Sequence, residues 1–133
     1  MNSGRSPAHA HPPPTTGTLQ LLTTFPPPPT HPTGGLDGYP AVDLFAPAGT
    51  RVLAPADGKT RRTHFLTWSL TKRRGGWTTY LDTAIGTYFL THFDEVLPSG
   101  VTVVYGQDIG SVGVVPHGWW DAHIHEGLHR TDV

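Results

Sequence analysis

Hydrophobic and polar residues alternate along short stretches of this chain, and a glycine or proline interrupts the alternation every few residues. Val, Thr, Tyr and Trp are frequent between the interruptions, a composition that is typical of short strands and turns rather than of helices. The pattern therefore predicts an all-β fold, built as a Gly-rich antiparallel sheet, a sandwich or a partly open barrel. The stretches that carry it are TLQLLTTF (18–25), YPAVDLFAP (39–47), AGTRVLAPADGK (48–59), RTHFLTWSL (62–70), WTTYLDT (77–83), GTYFLTHF (86–93), SGVTVVYGQDIGSVG (99–113) and AHIHEGL (122–128).

Three of these stretches allow a more detailed prediction. Residues 62–70 and 77–83 flank the basic segment TKRRGG and are expected to pair as a hairpin around it. Approximate alternation along residues 86–93 predicts that every second side chain lies on the same face of a strand. The expected faces are Tyr88, Leu90 and His92 on one side, and Phe89, Thr91 and Phe93 on the other.

Length and composition limit the organisation of the chain. The 133 residues suit one domain, and the Pro-rich segment 1–29 is expected to be an arm that is disordered or bound to a partner. Residues 30–133 form the predicted β domain. The chain has no Cys, which excludes disulfides and Cys-ligated zinc. No apolar run is long enough to span a membrane, and the N-terminal sequence does not read as a secretion signal.

The net charge of the chain gives no support for an anionic partner. The formal net charge is −1 at pH 7, so no overall positive field favours nucleic acid or an anionic membrane. The basic segment 71–76 is expected to be a solvated loop.

The candidate chemistry is concentrated in three distant stretches. His123 and His125 are two residues apart, so a strand would place both rings on one face, as metal ligands, as an acid and base beside a metal, or as a solvated polar surface. Asp43 lies in the apolar stretch AVDLFA, where an unpaired carboxylate would cost several kcal/mol. His92 stands among aromatic residues and could also be a hydrogen-bonded core histidine.

The order of these stretches resembles one known family. PAVDLFAPAGTRVLAPADGK, an aromatic strand ending in THF, GQDIGSVG and HIHEG occur in the order found in lysostaphin-type zinc metallopeptidases. The resemblance extends over about 35–128 and implies a barrel-sandwich-like β fold and hydrolysis of peptide bonds in bacterial peptidoglycan. It also implies that Asp43 and His125 bind Zn²⁺. His92 and His123 would then activate water and stabilise the oxyanion.

One position departs from the family pattern. The residue four before Asp43 is Tyr39, where the family has its first His ligand. A phenol binds zinc rarely, because its pKa of about 10 means that it must first lose a proton. The third ligand could be Tyr39 itself, the Asp37 carboxylate or His31, and Asp37 is the best substitute because carboxylate oxygen is an ordinary zinc donor.

Further expectations concern one loop. His117, Trp119 and Trp120 could line a substrate cleft, although His117 could instead cap a loop, and the preferred role of the two Trp residues is to cover the open end of the sheet. A biotinyl or lipoyl carrier domain has a similar Gly pattern, but it needs a Lys at a hairpin tip, usually beside Met. The only Lys residues are Lys59 and Lys72, and no such tip exists.

The short chain and its Pro-rich arm fit a phage virion protein, tail-associated, or a lysis protein acting at the host cell wall. The arm would contact phage structural proteins. The alternative is a catalytically degenerate metallopeptidase fold that acts as a structural or peptidoglycan-binding part of a phage tail.

Overall fold

The computed structural model describes residues 17–25, 40–68, 73–114 and 121–132. Within these ranges the chain forms strands and no helix, which confirms the predicted all-β class. The described residues also contain no helix long and apolar enough to cross a membrane. The strands are β1 (Thr18–Gln20), β2 (Ala41–Phe45), β3 (Arg51–Leu53), β4 (Gly58–Trp68), β5 (Arg73–Thr83), β6 (Gly86–Val96), β7 (Thr102–Val103), β8 (Asp108–Val112) and β9 (His123–Arg130).

The strands join into one mixed sheet of nine strands, with the order β1-β3-β8-β6-β5-β4-β7. The pair β1 and β3 is parallel, and the other strand pairs are antiparallel. The predicted hairpin is present as β4 and β5. Strand β9 pairs with β6 on one side and with β2 on the other. This pairing brings residues from the two ends of the β domain together in the middle of the sheet.

Strand β6 is central because it has three partners. One edge pairs with β5, while the other pairs first with β9 over Gly86–Thr91 and then with β8 over Phe93–Val96. The change of partner occurs at His92, which the register of neither neighbour includes. On this edge of β6, the sheet therefore continues through β9 before His92 and through β8 after it.

A hydrophobic core lies on one side of β6 and β9, which we call the core face. The side chains of Ile124, Glu126 and Leu128 point to it from β9, and the residues between them point to the opposite side, the site face. The core also takes in Leu21, which follows β1, so part of the predicted arm lies against the β domain. The buried apolar residues are Leu21, Val52, Ala54, Leu81, Tyr88, Leu90, Phe93, Val103, Ile109, Val112, Ile124 and Leu128.

The alternation predicted for β6 is wrong after Thr91. Tyr88, Leu90 and Phe93 are all buried in the core, so Phe93 shares a face with Leu90, not with Phe89. The reason is a β-bulge in which His92 has no partner on β5 and takes a φ of 82°. One extra residue reverses the faces of all that follow it. The bulge therefore removes His92 from the core face, where the sequence pattern placed it.

Candidate metal and catalytic site

Asp43 and His125 face each other across neighbouring strands. They are register partners in the antiparallel pair of β2 and β9, and both side chains project to the site face. Asp43 Oδ1 lies 2.7 Å from His125 Nδ1. The two side chains are 31% and 15% exposed, so the pair is partly shielded but reachable from solvent. The apolar flanks of Asp43 therefore support a carboxylate that has a partner, as the sequence predicted.

His123 lies two residues before His125, on the same face of β9. Its Nδ1 is 2.8 Å from the carbonyl oxygen of Asp121. A carbonyl only accepts hydrogen bonds, so Nδ1 carries the hydrogen and a neutral ring leaves Nε2 with its lone pair. Nε2 points towards the pair and lies 3.8 Å from Asp43 Oδ1. The ring is buried against Phe45, with 5.1 Å between ring centroids. His123 is thus held in one orientation by a hydrogen bond and by packing.

The bulge of β6 brings His92 to the same cluster. Its ring centroid is 4.8 Å from that of His123 and 6.5 Å from that of His125. The backbone is held there because the Gly113 N–H donates to the His92 carbonyl oxygen at 2.9 Å. A Cβ at Gly76 or Gly113 would come within 2.8 Å of the backbone at Phe93 or His92. Two glycines therefore permit the close approach that the bulge requires.

The floor of the site face continues from His125 onto β6 and β5. Thr91 is the register partner of His125, and its hydroxyl is hydrogen-bonded to that of Thr78. Phe89 packs against His125, with 6.1 Å between ring centroids. Sequence reasoning did not identify these three residues as neighbours of the site. Their alternation with buried β6 residues was the available signal, but it could not indicate which face carries the chemistry.

Other predicted site residues lie outside the described part of the chain. The proposed third ligands, His31, Asp37 and Tyr39, fall in 26–39, and the proposed cleft residues, His117, Trp119 and Trp120, fall in 115–120. Within the residues that the structure describes, no group of three His, Asp or Glu side chains is placed to hold a metal ion. The described chain therefore contains Asp43 and His125, the two predicted donors, and metal binding by them and by a third ligand stays a prediction.

The donor pair can be compared with what zinc requires. Zinc in proteins takes His nitrogen and carboxylate oxygen at about 2.0–2.2 Å, and two such donors on a tetrahedral ion are about 3.3 Å apart. The 2.7 Å separation of Asp43 Oδ1 and His125 Nδ1 would need to widen by about 0.6 Å. Because one donor atom comes from each strand and both face the same space, the pair fits two positions of a zinc site.

Sequence reasoning also missed a buried carboxyl group next to the site. Glu126 follows His125, but it points to the core face and is fully buried. Its Oε1 accepts a hydrogen bond from the Leu22 N–H at 2.8 Å. Burial raises the pKa of Glu126 to about 8, and the Leu22 hydrogen bond opposes that rise. The signal was available, since a residue between two histidines of one strand face must point to the other face.

Comparison with solved structures finds similar folds. The catalytic domain of the prophage-encoded M23 protein EnpA from Enterococcus faecalis, solved as a point mutant, is 22% identical, with a TM-score of 0.55 over 68% of this chain and 67% of that chain. The catalytic domain of the antimicrobial peptidase lysostaphin from Staphylococcus simulans is 24% identical, with a TM-score of 0.55 over 86% of this chain and 76% of that chain.

A solution structure of lysostaphin is 24% identical, with a TM-score of 0.58 over 89% of this chain. The match spans 49% of that longer chain. No model of a protein family matches the sequence, and no curated protein matches it either. At these levels of identity the comparisons establish the fold, which is that of M23 peptidase and lysostaphin catalytic domains.

Proposed function

We propose that this chain is a lysostaphin-type metallopeptidase that hydrolyses peptide bonds in bacterial peptidoglycan. The observation that carries the proposal is the cluster formed by Asp43, His125, His123 and His92 on one face of the sheet. Four polar side chains from three strands converge there, in a fold that a peptidase of known antimicrobial activity also has. Hydrolysis of a peptide bond needs a group that polarises the carbonyl, a base and an acid. The four side chains together with one metal ion can supply all three.

The proposed metal is zinc, held by Asp43, by His125 and by a third donor drawn from Asp37, Tyr39 or His31. Zinc, when bound, would polarise the scissile carbonyl and lower the pKa of water towards neutrality. The hydrogen that lies between His125 Nδ1 and Asp43 Oδ1 must leave before both atoms can act as donors.

His123 and His92 are proposed to move protons and to stabilise the oxyanion. His123 Nε2 is fixed as the open nitrogen by the bond from Nδ1 to the Asp121 carbonyl, so it can accept a proton from water and later donate it to the leaving amine. His92 is close enough to His123 that the two rings can flank one substrate group from different strands. The bulge that holds His92 in position fits this role, because strained residues are often retained at functional sites.

We further propose that the protein acts in a phage virion or during lysis, at the host cell wall. The prophage origin of one protein of similar fold supports this setting. The part of the Pro-rich segment that precedes β1 would then bind phage structural proteins. A second candidate function follows from Tyr39, which stands where the family has a ligand. If the site has lost its metal, the domain would serve as a structural or peptidoglycan-binding component of the tail.

Zinc content and wall hydrolysis, measured together, test the proposal. Wild-type protein purified without chelator should contain about one zinc per chain and should solubilise purified peptidoglycan. Tyr39→His should bind zinc at least as tightly and hydrolyse at an equal or higher rate, because imidazole is available at pH 7 without loss of a proton. If Asp37 completes the site, Asp37→Ala should abolish both. A wild type without zinc and without hydrolysis would favour the structural alternative.

A further inference from the structure

Arg62 is strained in the same way as His92. Among the described residues these two are the only ones other than glycine with a positive φ, and the value at Arg62 is 55°. Arg62 lies in β4 where the register with β5 shifts between Arg61 and His64. The left-handed conformation is unfavourable for a residue with a Cβ and is found most often at turns and functional sites. The bulge at Arg62 therefore shares the backbone feature that positions His92.

The bulge places two guanidinium groups over one aromatic ring. The Cζ atoms of Arg61 and Arg62 lie 5.1 and 5.7 Å from the centre of the Tyr80 ring. His64 stacks on the same ring at 6.3 Å, and its Nδ1 donates to the Arg62 carbonyl oxygen at 2.7 Å. The ring and this hydrogen bond together fix the position of the bulge.

The two arginines differ in their partners. Arg61 forms an ion pair with Asp82, with 2.7 Å between Nε and Oδ2. For Arg62, the described part of the chain contains no carboxylate within ion-pair distance, and the residue is exposed. A guanidinium group presents a planar set of donors that matches a carboxylate or a phosphate. Arg62 is thus held by its backbone and by Tyr80, with its donors directed to no protein anion in these ranges.

A line of ring contacts connects Arg62 to the proposed metal site. Tyr80 packs against Phe89 at 5.4 Å, and Phe89 packs against His125 at 6.1 Å. Tyr80 and Phe89 are register partners, so this line crosses the site face from β9 through β6 and β5 to β4. Three strand spacings of about 4.8 Å give about 14 Å, which an extended peptide covers with about four residues.

We propose that Arg62 is a specificity residue of this cleft, which binds a carboxylate of the substrate peptide about four residues from the bond cleaved beside Asp43 and His125. The assignment rests on the proposed peptidase function and deepens it, because it defines the substrate as an anionic peptide strand laid across the strands of the sheet. Tyr80 and Phe89 form the surface under the peptide between the two ends.

The test compares binding and hydrolysis on two forms of one substrate. Peptidoglycan is purified free of phosphate-containing wall polymers, and half of it is amidated so that its carboxylates become neutral. Co-sedimentation gives the affinity, and release of soluble fragments gives the rate. Arg62→Gln removes the charge, Arg62→Lys retains it, and Lys59→Gln removes a charge of the same sign elsewhere on β4 as the matched control. Thermal melting confirms that each variant is folded.

Arg62→Gln should weaken binding to the native wall by about three- to tenfold, the range expected for one charge-assisted contact at an exposed site. Arg62→Lys should recover part of the loss, and Lys59→Gln should bind as wild type does. Amidation of the wall should remove the difference between wild type and Arg62→Gln. Equal losses for Arg62→Gln and Lys59→Gln, or a loss that survives amidation, would overturn the assignment.

The two proposals fail in different ways. If Arg62→Gln solubilises the native wall at the wild-type rate and binds it equally well, the role of Arg62 is disproved while the peptidase function stands. If the wild type releases no fragments but the binding difference persists and depends on carboxylates, hydrolysis is disproved and Arg62 is an anion contact of a wall-binding module. If Arg62→Gln weakened binding only on wall that retains its phosphate polymers, a carboxylate would also be rejected as the group that Arg62 binds.

Discussion

Strand β9 has polar residues on both of its faces, and their exposure to solvent differs between the two faces. His125 points to the site face, where it contacts Asp43 at 2.7 Å and remains 15% exposed. Glu126, the next residue, points to the core face and is fully buried. Its Oε1 accepts a hydrogen bond from Leu22, and Oε2 has no hydrogen-bond partner among the described residues. Two adjacent residues of one strand are therefore in different environments, one partly exposed to solvent and the other buried in the core.

The two faces of β9 therefore differ in role. The residues of the proposed site lie on the site face, and residues that stabilise the fold lie on the core face. On the site face, Asp43 and His125 contact each other and stay partly accessible to solvent, as the proposed metal site requires. On the core face, burial keeps Glu126 protonated at pH 7, because its pKa is raised to about 8. A neutral carboxyl group costs far less to bury than a carboxylate. Glu126 therefore acts as a structural hydrogen-bonding group, although it follows a proposed metal ligand.

The largest effect should come from removing a donor on the site face. His125→Ala deletes one of two described donors, so zinc should fall from about one per chain to nearly none, and wall hydrolysis should be lost with it. Glu126→Gln alters the neighbouring residue on the other face and should keep both zinc and activity. Elemental analysis and turbidity of a wall suspension measure the two quantities. Loss of zinc in Glu126→Gln, or its retention in His125→Ala, would contradict this division of the two faces.

A smaller effect is expected where the metal is kept and proton transfer is lost. His123→Ala and His92→Ala leave Asp43 and His125 in place, so zinc content should be unchanged. Each should lower kcat by about 10²–10⁴-fold, the range for general acid–base catalysis and for an oxyanion contact. A variant of either histidine that loses zinc along with activity would identify that residue as a ligand.

Much of the site could be predicted because its strongest signals are local. Asp43 in an apolar strand and two histidines on one strand face are visible in the sequence, and the structure brings them together across β2 and β9. Sheet pairing of residues that are 82 apart in sequence cannot be read from local alternation. The family resemblance supplied that long-range information, and the predicted all-β fold was correct.

The failures of prediction have a common physical cause. Period-2 alternation assumes an unbroken strand, and a β-bulge inserts one residue that local propensity does not reveal. His92 and Arg62 both lie at such bulges, so their faces could not be assigned from pattern alone. Glycines at positions 76 and 113 were the indirect evidence, since they allow close backbone approach around His92. The three residues proposed as a third metal ligand lie outside the described residues, and the metal site as a whole stays a prediction.

Burial of Glu126 on the core face should make the free energy of unfolding depend on pH. A folded chain keeps the Glu126 proton up to about pH 8, whereas an unfolded chain releases it near 4.5. Between these values the unfolded state binds fewer protons, so the free energy of unfolding falls by about 1.4 kcal/mol per pH unit. This contribution is fully present below pH 4.5 and is lost by about pH 8.

Glu126→Gln cannot ionise, so it isolates that contribution. The stability of wild type minus that of the variant should decrease by about 3 kcal/mol between pH 4.5 and pH 7, as measured by urea denaturation. All other groups are the same in both proteins, so their contributions cancel in the difference. A difference that does not vary with pH would mean that Glu126 is ionised in the folded protein and that the core face is not the dry environment described above.

The smallest effect should come from the second polar contact of the core face. The Tyr88 hydroxyl donates to the Thr23 carbonyl oxygen at 2.6 Å, and with the bond from Leu22 to Glu126 it holds the segment that follows β1. Burial raises the pKa of Tyr88 to about 12, so the hydroxyl stays protonated and the bond persists throughout the neutral range. Tyr88→Phe keeps the buried ring and removes only the donor, which should cost about 1 kcal/mol of unfolding free energy.

Unlike the Glu126 effect, the Tyr88→Phe loss should be constant between pH 5 and pH 9, since neither a phenol with a raised pKa nor a phenyl ring titrates there. Urea denaturation at several pH values, with Glu126→Gln measured beside it, separates the two contacts. Zinc content and wall hydrolysis should remain at wild-type levels, because Tyr88 is on the face opposite His125. A Tyr88→Phe protein with normal stability but impaired hydrolysis would show that the segment following β1 is coupled to the site face, and the separation of the two faces would then be incorrect.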